Sequence, residues 1–116
     1  MTIQEIMDKA CKGLASQGFQ RSMSNEGCLY RGSGGKKCAI GHLIPDDLAE
    51  KWEGTNISGI CMDRRESFDT VFQGVSTVFL MQLQIAHDNG SIPEIMKSNL
   101  RKVCEDYSLT IPEELK

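Results

Sequence analysis

With 116 residues, 40% of them apolar and 25% charged, the chain has the size and balance of one globular domain, long enough to bury a core without disulfides or a metal. Its formal charge of −3 argues against a general affinity for nucleic acid, which draws on a surplus of Lys and Arg over one face. No run approaches the ~18 apolar residues of a membrane span, and MTIQEIMDKA lacks the basic-then-apolar layout of a signal peptide, so the expected location is the cytoplasm.

Residues 3 to 17 predict an amphipathic helix, because Ile3, Ile6, Met7, Ala10, Cys11 and Leu14 recur at helical spacing. Thr2 and Glu5 have the form of a capping box, and Gly18 stands where a left-handed cap belongs. Phe19 to Glu26 is polar and without period, which marks a connection. Residues 28–31 and 36–40 around Gly32-Ser33-Gly34-Gly35 predict a small β-hairpin. Pro45 and the pair Asp46-Asp47 open a short helix through about Glu53, where Trp52 is expected to pack inward and Gly54 to end it.

Residues 54–66, with two glycines and mixed polarity, read as an irregular loop with a short strand at Ile57–Met62. From about Ser67 to His87, Phe68, Val71, Phe72, Val75, Val78, Phe79, Leu83 and Ala86 fit a helical period, interrupted at Gly74, with Ser76 placed to cap a fresh start. FLMQLQIA is apolar on more than one side, which predicts the central, most buried helix. The last helix opens at Ser91-Ile92-Pro93-Glu94 and turns Ile95, Met96, Leu100, Val103 and Tyr107 inward. The expected fold is therefore α+β: a mostly helical single domain over residues 1–116, with three main helices, one short helix and a small hairpin.

Chemistry concentrates between Gly27 and Asp47. Five cysteines (Cys11, Cys28, Cys38, Cys61, Cys104) are an odd number, which in a reducing compartment points to free thiols. Cys38 follows a Gly-rich turn beside Lys36 and Lys37, a setting that would favour its thiolate. A nucleophilic cysteine needs a base, and His42 and His87 are the only histidines. Asp88 would complete a Cys38, His87, Asp88 set, yet adjacent helical residues point about 100° apart and do not ordinarily bond each other. The competing reading makes Cys38 and Ala39 small packing residues beneath the hairpin. Cys28, Cys38, Cys61, His42 and His87 could number four zinc ligands, but they lack the paired Cys-x₂₋₄-Cys spacing of structural zinc, so neither metal nor cofactor is assigned. The loop GSGGKK with Arg31, Lys36 and Lys37 invites an anionic small molecule, although the GxxxxGK[ST] layout is absent. The alternative is a solvated turn.

The blocks CLYRGSGGKKCAIGHLIPDD and FLMQLQIAHD carry the patterns C-x-YR…G-x-KCA-x-G-x-LI-x-D and L-x-x-LQ-x-x-HD. In these the chain resembles a family of small accessory proteins encoded by bacteriophages and prophages. By that resemblance Cys38, Gly41, Asp46, His87 and Asp88 are motif positions and His42 is not. The resemblance implies a task of binding: blocking a host enzyme, occupying a defence complex or sequestering a nucleotide signal. The expected function is a non-enzymatic accessory protein that binds and inhibits a host protein of antiviral defence. The alternatives are capture of an anionic nucleotide through the Gly-rich loop and a Cys38-dependent hydrolase. Oligomeric state is left unspecified.

Overall fold

A computed structural model of the chain describes residues 1–24 and 27–116. Helix α1 (Ile3–Ser16) begins at the expected capping box: the Glu5 N–H donates to Thr2 Oγ1 at 3.1 Å and the Thr2 N–H to Glu5 Oε1 at 2.8 Å. It ends where Gly18 turns left-handed (φ +67°), which lets the Phe19 N–H return to the Leu14 carbonyl at 2.8 Å. Ile6, Met7, Ala10, Cys11 and Leu14 form its buried stripe.

The antiparallel hairpin lies earlier than the sequence suggested. Strand β1 (Met23–Ser24) pairs with β2 (Gly27–Cys28), Met23 opposite Cys28. The connection expected over 19–26 thus contains β1, and its last two positions, 25 and 26, lie outside the described residues. Residues 28–31 and 36–40 do not form a ladder, because their backbone groups have other partners. The Tyr30 and Arg31 N–H groups donate to the Glu53 carboxylate at 2.9 and 3.2 Å, the Lys37 N–H to Gln17 Oε1 at 3.0 Å, and the Ile40 N–H to Gln84 Oε1 at 3.1 Å. Ser33–Gly35 closes a 3₁₀ turn, with Gly34 and Gly35 at positive φ.

A second 3₁₀ turn, Ile40–Leu43, packs against α1. Helix α2 (Asp46–Trp52) follows Pro45, with Asp46 and Asp47 in its first turn. Trp52 is wholly buried, as expected; its indole N–H donates to Ser67 Oγ at 2.9 Å and its ring meets Tyr30 edge-on. Burial of a side chain of this size contributes roughly 1.5–3 kcal/mol.

Residues 57–63 are helix α3 (Ile57–Asp63), where the sequence read as a loop or strand. Asn56 supplies the signal that Gly54 and Gly59 obscured: its side chain accepts the Gly59 N–H at 2.8 Å, and Ile57 and Ile60 turn inward. The long helical region is two helices, α4 (Arg65–Phe72) and α5 (Thr77–Asp88), parted at Gly74 (φ +76°) and restarted by Ser76, whose hydroxyl accepts the Phe79 N–H. Helix α6 (Pro93–Asp106) starts with Pro93 in its first turn, which makes Ile92 the cap, so the Ser91–Glu94 box does not form. Helices α5 and α6 pack along each other, and the core includes residues from Ile6 in α1 to Leu115 in a final 3₁₀ turn. The result is a mostly helical α+β domain with a small hairpin, having six α-helices among the described residues where three main and one short were expected.

Two expectations about which side chains face inward are corrected. Helix α5 is not buried all round: Val78, Met81 and Ile85, at i, i+3 and i+7, are 59%, 37% and 45% exposed, so one apolar stripe faces solvent. On α6, Ile95 is likewise exposed, being one position off the buried Met96, Leu100, Val103 line.

Gly41 marks the tightest backbone approach in this region. A Cβ there would strike the Tyr30 carbonyl oxygen and lie 3.2 Å from its Cα and C. Gly41→Ala is expected to lower stability by about 1–3 kcal/mol through overpacking, read as a lower Tm in a thermal melt. An unchanged Tm would refute that contact.

Candidate functional site

The polar side chains at the end of α5 centre on His87, which is fully buried. The Ser22 N–H donates to His87 Nε2 at 3.1 Å, so the ring proton is on Nδ1, from which it is donated to Asp88 Oδ1 at 2.9 Å. The neighbouring Gln84 amide nitrogen lies 3.3 Å from Nδ1 and 2.8 Å from Asp88 Oδ1; with Nδ1 protonated, the carboxylate is its acceptor. The expectation that Asp88 would not reach His87 is therefore corrected. Nδ1 is the ring nitrogen nearer the backbone, and at the last residue of α5 a short carboxylate can fold back to it.

This pairing does not assemble the catalytic set considered from sequence. The only lone pair of His87 is taken by a backbone amide, so the ring has no free site with which to accept a proton from a thiol. Cys38 has the opposite character from that expected: it is fully buried, and burial first, then the Cys28 thiol, pushes its pKa well up despite the nearby lysines. Its sulfur accepts the Gly41 N–H at 3.3 Å.

His42 turns away from Cys38 toward α1. Its Nε2 is 2.9 Å from Gln17 Oε1, the same oxygen that accepts the Lys37 N–H, and its ring lies over Gly13, where any Cβ would collide with it. Burial, then Lys37 and Arg31, lower its pKa from 6.5 to about 4. Cys61 lies elsewhere, with Thr77 Oγ1 at 3.2 Å and Arg65 Nη1 at 3.3 Å. The five residues weighed as zinc ligands do not form one set: no cluster of three His, Cys, Asp or Glu side chains suited to a metal occurs among the described residues.

Arg31, the first of the three cations considered for an anion, is a clasp for its own loop. Its guanidinium donates to the carbonyls of Tyr30, Gly41 and Ile44 at 3.0, 2.7 and 2.9 Å and to Asp46 Oδ1 at 2.8 Å. That bond holds the Asp46 carboxyl below the usual carboxylate range. Lys37 has both backbone groups tied to the Gln17 amide, and the Gly32 and Lys36 N–H groups bond within the turn. Lys36 and Lys37 remain half-buried at its base.

A cavity of about 400 Å³ opens beside the His87 network, with Cys28, Tyr30, Ile57, Met81, Gln84 and Asp88 on its wall. The sequence did not point to this place, since its lining comes from β2, the start of α3 and the outer side of α5. Asp88 is the one charged side chain among the described lining residues. No family model, curated protein or solved structure matches the chain. No helix among the described residues is long and apolar enough to cross a membrane.

Replacement His87→Leu strands the Ser22 N–H in the interior, at a cost of about 1–3 kcal/mol. The expected result is a lower urea midpoint with an unchanged m-value; an unaltered midpoint would show the bond to be dispensable. For His42 the sign follows from the lowered pKa. Below pH 6.5 the unfolded chain takes up a proton that the folded ring refuses until about pH 4, so stability falls as pH drops through that window. With the ring only half shielded, the loss is on the order of 1–2 kcal/mol. Urea melts between pH 7 and 4 check it, and His42→Gln should flatten the dependence.

Proposed function

We propose that this chain is a phage or prophage accessory protein that acts without catalysis, by binding and inhibiting a host protein of antiviral defence. The two sequence blocks and their resemblance to phage-encoded proteins support the phage context. The observation that carries the binding reading is the stripe Val78, Met81, Ile85 on α5, exposed to solvent beside the cavity. Apolar side chains aligned on one helical face and left uncovered favour a protein partner. Asp88, half-exposed on the cavity wall, fits a Lys or Arg side chain of that partner inserted between Ile85 and Tyr30.

An anionic nucleotide is the weaker ligand on the same grounds. The donors of Arg31 are already engaged, and the cavity wall presents a carboxylate where a phosphate would need a cation. Catalysis through Cys38 is opposed by its burial and by the engaged lone pair of His87.

Affinity capture from host lysate tests the reading if it is resolved by face. The tagged wild-type chain is expected to retain one host protein, and Ile85→Asp to weaken retention about tenfold or more by placing a charge in an apolar contact. Lys9→Glu, on the exposed side of α1, should retain it fully. Capture that ignores Ile85→Asp, or no enriched partner at all, would overturn the proposal.

A further inference from the structure

The wall of the cavity beside His87 is of two kinds. Tyr30, Ile40, Ile57, Met81 and Ile85 give it apolar surface from the loop after β2, the second 3₁₀ turn, α3 and α5. Several polar groups on it are already engaged: the Tyr30 hydroxyl donates to the Thr55 carbonyl at 2.5 Å, and the Gln84 amide bonds both the Ile40 N–H and Asp88. Asp88 is different. His87 Nδ1 and Gln84 Nε2 both donate to its Oδ1, at 2.9 and 2.8 Å, and Oδ2 takes no hydrogen bond from a described residue. No described cation cancels its charge either. His87 carries one ring proton, on Nδ1, because its Nε2 accepts the Ser22 N–H, and Arg21 donates to the Asp88 main-chain carbonyl at 2.9 Å rather than to the carboxylate.

These features select an occupant by its charge and by its body. An anion would meet a carboxylate with no cation on the described wall. A divalent metal would find one carboxylate, without the cluster of oxygen ligands it requires. A neutral apolar molecule would strip water from Asp88 and put nothing in its place. A cation with an apolar body satisfies both parts of the wall at once.

We propose that this cavity is a binding site for a small organic monocation, a primary ammonium or guanidinium carried on an apolar body, with Asp88 as its counter-charge. The positive group donates to Oδ2, the oxygen that the protein leaves open, and the body covers Tyr30, Ile57, Met81 and Ile85. A volume of about 400 Å³ lies within the ~300–1,000 Å³ of small-molecule sites. The site goes beyond the protein-binding reading: it belongs to the chain alone and is tested without any host protein, so the failure of either leaves the other standing.

The test is calorimetric titration of the purified full chain with phenethylammonium. Its neutral and anionic counterparts, 2-phenylethanol and 3-phenylpropionate, and ethylammonium, which has the charge without the body, are titrated beside it. Phenethylammonium is expected to bind one to one and about tenfold or more tighter than each of the three. Amide chemical shifts should move over residues 54–58 and 81–88, the segments that line the cavity. In Asp88→Asn the side-chain oxygen can keep both bonds now made to Oδ1 while the charge is removed, so the preference for the ammonium over the alcohol should vanish. The wild-type series decides even if this variant folds poorly. Nα-acetyl-lysine methylamide, standing in for the side chain of a protein partner, should bind about tenfold more weakly than phenethylammonium, because its unbranched stem covers less of the apolar wall. Equal affinity for the three phenyl probes, tighter binding of the acid or of the lysine derivative, or a preference that survives Asp88→Asn would overturn the proposal. So would shifts confined to another surface, or no saturable binding of phenethylammonium.

Discussion

The structure depends on two hydrogen bonds that α5 offers to segments with little regular structure of their own. His87 Nε2 accepts the Ser22 N–H, and Gln84 Oε1 accepts the Ile40 N–H. Between residues 22 and 40 the regular structure described is one four-residue ladder and a 3₁₀ turn, so few of its backbone groups can satisfy one another. A buried N–H without a partner costs about as much as a strong hydrogen bond contributes, so the polar side chains on the inner face of α5 are requirements of the fold. They explain why a helix as apolar as FLMQLQIAHD carries Gln84 and His87 facing inward.

The same constraint decides what the charged residues of the loop are for. Three carbonyls, of Tyr30, Gly41 and Ile44, converge on Arg31, while the Tyr30 and Arg31 N–H groups converge on Glu53. A guanidinium offers five donors in a planar fork and a carboxylate offers two acceptor oxygens, so this pair can satisfy a non-repeating backbone that no ladder covers. Engaged in this way, Arg31 is a poor recruit for an external phosphate. Of the cations in RGSGGKK, the Arg31 guanidinium is thus committed to internal bonding.

How far the fold could be read in advance follows from the same distinction. Helices α1, α2 and α6 were legible because local signals placed them: a capping box, a proline in the first turn, an apolar period. Ser76 announced the restart of α5, whereas Asn56, capping α3, was masked by Gly54 and Gly59, which resemble loop punctuation. The hairpin was misplaced because β-prone residues and a Gly-rich turn are necessary for pairing without being sufficient. Long-range bonds to Gln17, Glu53 and Gln84 took the backbone groups first, and sequence spacing carries no trace of them. Cys38, His87 and Asp88 were legible as unusual residues, but which of their atoms remain free is a matter of tertiary contact. Cys28 was legible only as one thiol among five.

One helix therefore serves two surfaces. The inner face of α5 buries Phe79, Leu80, Leu83, Gln84 and His87, fixing the backbone by packing and by bonds to two distant segments. Its outer face shows Val78, Met81 and Ile85 on that same backbone, so the exposed side chains begin from a held position. A partner meeting a preordered helix loses less conformational freedom on docking than one meeting a mobile loop, and more of the contact energy survives as affinity. The floor of the adjoining cavity is made of the same network, with Asp88 bonded to His87 and Gln84. Its carboxylate is therefore held in one orientation. The bonds that compensate for an irregular backbone also set the geometry of the surface above it, and this is why a short chain with little sheet can present a defined site.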